Sequence, residues 1–126
     1  MIDVSGRAVP RFSRRAIAAF AQRVMRAARA KGDLSIAFVS DADMRDLNRK
    51  FRHKNKTTDV LTFESEIVIC VDQARRQAAD EKHSLATEVR YLIVHGMLHA
   101  MGYDHETDDG EMNALEMKVR GRVGLQ

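Results

Sequence analysis

Three of the five histidines in this chain fall within eleven residues: His95-Gly-Met-Leu-His99-Ala-Met-Gly102-Tyr-Asp-His105. On a helix, residues four apart lie one turn removed and about 40° apart around the axis. His95 and His99 therefore project from one face and can share one ion. Gly102 tolerates the left-handed conformation that ends a helix, so the chain can turn back and bring His105 up as a third ligand. Three neutral imidazoles with an open fourth position describe a catalytic zinc site rather than a closed, cysteine-rich structural one. Cys70 is the only cysteine, so an internal disulfide is impossible, which fits a reducing compartment. One zinc per chain is expected. Nickel, copper, cobalt and iron also accept imidazole.

The spacing H-x3-H-x2-G-x2-H matches the zinc site of metzincin proteases, which carry a glutamate directly after the first histidine as the general base. Here that position is Gly96, which cannot abstract a proton. The ligand frame is present and the peptidase base is absent. Glu88 lies seven residues before His95 on the same side of the helix, either as a base or second carboxylate near the metal or as a plain helix residue. Asp104 either accepts from a ligand imidazole or caps the following turn.

A basic run precedes this motif. Five of the ten residues from Leu47 to Lys56 are Lys or Arg, among them Arg52, Lys54 and Lys56. Arginine offers phosphate a planar pair of donors and lysine a point charge. The first 56 residues hold 14 Lys+Arg against 5 Asp+Glu, and the remaining 70 hold 7 against 13. A basic front half suits a polyanion, and the neutral histidines sit in the acidic half. Arg14, Arg15, Arg23, Arg26 and Arg29 form one polar helix face, readable as a solvated surface or as a binding one. The chain is 44% hydrophobic and 31% charged, which excludes wholesale disorder. No apolar run approaches a membrane span, and Met1 to Val9 lacks the pattern of a signal peptide.

Periodicity divides the chain into interleaved helices and strands, expected to form a single domain over 1–126. Ile2 and Val4 suit a first strand. Ser13 opens a helix that Gly32 closes. Leu34 to Val39 reads as a buried strand, and Ser40 or Asp41 caps a helix carrying Met44, Leu47 and Phe51. Val60 to Phe63 and Ile67 to Val71 read as a hairpin. Helices follow from about Asp72 to Glu81, from Ser84 to Met101, and from Thr107 or Asp108 onward.

Leu47-Asn48-x-x-Phe51-Arg52, Thr58-Asp59-Val60-Leu61-Thr62-Phe63 and His95-Gly96-x-Leu98-His99-x-x-Gly102-Tyr103-Asp104-His105 together resemble the YbeY family of bacterial endoribonucleases, with Met112 and Glu116 fitting its tail pattern. The resemblance implies an α+β fold: a small, mostly parallel sheet with an antiparallel edge strand at about Asp59 to Phe63, packed with helices. It implies a cytoplasmic, zinc-dependent endoribonuclease acting on single-stranded RNA. Its roles would be small-subunit rRNA 3′-end processing and ribosome quality control, with the small ribosomal subunit as partner and no membrane. His95, His99 and His105 would be the metal ligands and Arg52 the catalytic arginine. The chain departs from the family between Phe63 and Ile67, where the loop is short and Glu66 replaces the usual Asp. Two other classes fit the residues less well: a zinc metallopeptidase, and a non-catalytic RNA-binding factor in ribosome assembly.

Overall fold

The computed structural model describes residues 1–52, 58–103 and 109–125, Arg52 by its backbone. The described elements are β1 (Ile2–Gly6), α1 (Arg14–Ala28), β2 (Leu34–Val39), α2 (Asp41–Arg52), β3 (Val60–Phe63), β4 (Glu66–Cys70), α3 (Val71–Glu81), α4 (Leu85–Ala100) and α5 (Glu111–Arg122). Strand order is β1-β2-β4-β3. β1, β2 and β4 run parallel, and β3 pairs antiparallel with β4 at the edge, Val60 opposite Ile69 and Phe63 opposite Glu66. This is the mixed sheet that the resemblance implies, in an α+β arrangement.

Period-two alternation decides which helix covers which face. Leu34, Ile36, Phe38, Ile67 and Ile69 point into the main core with the apolar lines of α1, α4 and α5. Val68 and Cys70 point the other way, onto Met44 of α2 and Leu61. β4 is therefore buried on both faces from Ile67 to Cys70, the pattern of an interior strand.

Caps follow the sequence at several ends. The Ser13 hydroxyl accepts from the Ala16 amide at 3.1 Å, and the Ser84 hydroxyl from the Thr87 amide at 3.1 Å. Ser40 caps α2 through the Asp43 amide at 3.2 Å. α1 ends earlier than expected. Arg29, at φ 58°, closes it, and Gly32 serves the later turn into β2. The reason is that Ala28 is the last residue on the buried line, and the Ala30 amide folds back onto the Met25 carbonyl at 2.8 Å. Phe51, expected on the apolar side of α2, is 61% exposed. Its ring meets Phe63 edge-on at 5.3 Å.

Candidate metal centre

α4 sets the site, and one glycine sets α4. A Cβ on Gly96 would stand 2.8 Å from Cγ2 of Ile67, so the bare backbone lets the helix lie directly on β4. The residue after His95 thus faces the sheet rather than the site. That explains why no base stands there: position 96 is a packing position. The helix ends as the sequence anticipates. Gly102 takes φ 97°, its amide donates to His99 at 2.9 Å, and the Tyr103 amide donates to Leu98 at 3.1 Å, a closure that satisfies terminal carbonyls.

His95 and His99 converge. Their Nε2 atoms lie 3.1 Å apart, with the rings 4.6 Å apart edge to face. Behind His95, Nδ1 donates to Oε1 of Glu116 at 2.9 Å. Glu116 is buried, and Arg120 on the next turn of α5 bonds its other oxygen. The hydrogen bond from His95, helped by the charge of Arg120, holds the Glu116 carboxyl below its usual value against the opposing effect of burial. A carboxylate can only accept, so Nδ1 of His95 carries a proton, and in the neutral ring it is the Nε2 lone pair that faces His99. Two nitrogens each ~2.0–2.1 Å from one zinc ion lie about this far apart, and a carboxylate behind the first ring is the usual companion of a ligating histidine. The donor set fits a metal of the imidazole-preferring class.

Glu116 was legible only as part of a tail pattern, 21 residues from its partner. The Glu116–Arg120 spacing, one helical turn, was the only local signal of this role. Glu88 has a different neighbour. Its Oε1 lies 2.6 Å from Nε2 of His83, and both line a cavity of about 510 Å³ with Asp59, Gln77, Tyr91 and Arg120. Tyr91 stacks on His83 at 5.6 Å and carries the Arg120 guanidinium at 4.6 Å. The Arg52 side chain, Lys54, Lys56, Asp104 and His105 lie outside the described residues.

Among the described residues, Asp41, Cys70 and Asp72 also bring ligand atoms within 4.8 Å of one another, a group able to hold a metal ion. Its carboxylates already have cationic partners. Arg76 forks onto Asp41 at 2.9 and 2.7 Å, and Arg7 reaches Asp72 at 3.4 Å. Asp41 opens α2 and Asp72 lies in the first turn of α3, where helix dipoles favour negative charge. These contacts account for the cluster as a tie between two helix starts.

The family model described as Endoribonuclease YbeY matches residues 3–124. An Endoribonuclease YbeY from Koribacter versatilis is 41% identical over 120 residues, covering 90% of this chain and 79% of that protein. One from Solibacter usitatus is 38% identical over 130 residues, covering 98% and 88%. A Thermotoga maritima protein solved in solution superposes with a TM-score of 0.71 at 25% identity, covering 98% of this chain and 89% of that one.

Proposed function

This chain belongs to the YbeY family of endoribonucleases, and from that premise we propose that it is a zinc-dependent endoribonuclease of single-stranded RNA. Its work would be small-subunit rRNA 3′-end maturation and ribosome quality control in the cytoplasm, with the 126 residues acting as one catalytic domain. The names of the relatives support the RNA substrate. No described helix is long and apolar enough to cross a membrane.

The observation that carries the reading is the convergence of His95 and His99 Nε2 with Glu116 behind the first ring. His95, His99 and, by motif, His105 would hold the zinc. When bound, the ion supplies Lewis acidity toward a phosphoryl oxygen. The residues of the chain do the rest. Glu116 keeps the His95 proton on Nδ1 and the ring in one orientation. Arg52 offers paired donors to the charge that gathers on the phosphate. Lys54 and Lys56 would grip neighbouring phosphates, and Asp104 would accept from a ligand imidazole. With Gly96 packed on Ile67, the proton of the attacking group must leave by another route. The RNA 2′-hydroxyl as nucleophile makes a 2′,3′-cyclic phosphate product, whereas attack by water makes a linear one.

The test joins elemental analysis to cleavage of single-stranded RNA before chelation, after chelation, and after zinc is returned. Near-stoichiometric zinc and chelator-sensitive cleavage are expected. Metal-free protein with full activity would overturn the reading. Turnover of a peptide library but not of RNA would favour the peptidase class instead.

A further inference from the structure

We propose that the exposed arginine line of α1, extended by Arg122 of α5, is a docking surface for the phosphate backbone of structured RNA, separate from the metal centre. The buried line of α1 is Ile17, Phe20, Ala21, Val24, Met25 and Ala28. Arg15 and Arg26 lie on its exposed side. Eleven residues make three turns, so the two share one line roughly 16 Å long, and Arg29 continues it at the helix end. Arg122 joins from a distant part of the chain: its guanidinium donates to the Ala27 carbonyl at 2.7 Å, beside the last turn of α1.

The charge on this line is unbalanced. Residues 1–31 contain seven arginines and Lys31 but only one acid, Asp3. Among the described residues, no carboxylate pairs with Arg15, Arg26 or Arg29. Arg14 donates to the Gly6 carbonyl at 2.6 Å and Arg23 to the Val123 carbonyl at 3.2 Å, so both are held in place as Arg122 is, each bond using one of the five N–H donors of a guanidinium.

Helix stability does not account for the pattern. Arg14 and Arg15 stand in the first turn, which has no acid, where the helix dipole disfavours cations. Arg23, Arg26 and Arg29 follow at intervals of three, where like charges repel. The dipole favours Arg26 and Arg29 at the C-terminal end, but it opposes the N-terminal pair, and a polyanion relieves both that opposition and the mutual repulsion of the line. Guanidinium forks suit phosphate. Phe12 and Phe20 of this region are buried, so the surface has no stacking platform for bases and would read backbone and shape.

The line lies opposite the face of α1 that packs on β1, α4 and α5, so RNA held there leaves the histidines of α4 open. A substrate bound at both places gains effective concentration at the cleavage site. The choice of RNA among polyanions rests on the proposed function; the binding measurement does not require activity.

The experiment compares a hairpin RNA bearing a single-stranded extension with a short unstructured oligonucleotide, using the full chain. For Arg15→Gln/Arg26→Gln/Arg29→Gln, the Kd for the hairpin RNA should rise roughly tenfold at low salt, and the slope of log K against log salt should fall by about 2 to 3. kcat and KM for the short oligonucleotide should not change, nor should Tm fall. Arg75→Gln, an exposed arginine of α3, should change none of these. Since Arg29 holds a left-handed cap, Arg15→Gln/Arg26→Gln repeats the measurement without touching that residue. Unchanged hairpin affinity and slope would overturn the proposal, as would an equal loss on the short oligonucleotide. Loss of binding to phosphatidylserine vesicles with hairpin binding intact would also overturn it, in favour of a membrane. Arginine-dependent hairpin binding by a wild-type protein that cleaves neither RNA would support the docking surface while removing the endoribonuclease reading.

Discussion

Two histidine–glutamate pairs sit on the same helix-lined side of the molecule and have different chemistry. His83 and Glu88 meet at 2.6 Å, five residues apart, through Nε2 of the ring. His95 and Glu116 meet at 2.9 Å, 21 residues apart, through Nδ1. Both glutamates are equally buried. The difference is the second partner of each ring. His95 turns Nε2 to the Nε2 of His99, while His83 stacks flat on Tyr91. A carboxylate behind an imidazole is thus no sign of a metal site by itself. It fits one when the opposite nitrogen faces a second imidazole, as at His95.

The largest test of that distinction removes a ligand. His95→Ala or His99→Ala should lose bound zinc and RNA cleavage by more than about a hundredfold, with the circular dichroism of the fold retained. His83→Ala should keep both, and loss of zinc from His83→Ala would erase the contrast. Next in size are the carboxylates. Glu116→Gln should weaken zinc affinity about 10- to 100-fold in competition with a chromophoric chelator, and Glu88→Gln should leave it unchanged.

A third test moves the helix. Gly96→Ala places a methyl against Ile67, at a cost of about 1–3 kcal/mol for overpacking, offset by about 1 kcal/mol of helix propensity. A net loss of about 1 kcal/mol in urea unfolding is expected. Zinc affinity should fall with it, because His95 shifts relative to Glu116 on another helix, while the local His83–Glu88 pair moves with α4.

The smallest effect is in acid. The Glu116 carboxyl is held below its ordinary value by the hydrogen bond from His95 and the charge of Arg120. A depressed carboxyl adds stability above its unfolded value and loses it as pH falls through the folded one. In chelated protein, the stability gap between wild type and Glu116→Gln should be full above about pH 5, by this linkage, and close toward lower pH. A gap independent of pH would mean that the carboxylate charge contributes nothing to the pair.

Local order made much of this readable. The i, i+4 histidines needed only the helical period, and Gly102 needed only its freedom at positive φ. The hairpin was carried by two apolar runs separated by a few polar residues, and the caps of α1 and α4 by single serines. The end of α1 is not legible in the sequence, because Arg29, a residue that disfavours φ 58°, takes the closing position that glycine usually fills. Phe51 kept helical spacing yet stays exposed, because α2 meets the sheet through a small second core of Met44, Leu61, Val68 and Cys70.

The sequence by itself determined that two imidazoles share one helix face, that no base follows the first, and that arginines line one side of α1. These properties repeat within a turn or two, so backbone geometry alone sets them. Only the tertiary structure decided that Glu116 stands behind His95 and that Arg122 joins the α1 arginines. It also supplied the reason for Gly96, the close approach to Ile67. Contacts across 21, 29 or 95 residues have no local period. They exist because burying the apolar lines of α1, α4 and α5 against one face of the sheet leaves their polar edges a single way to meet.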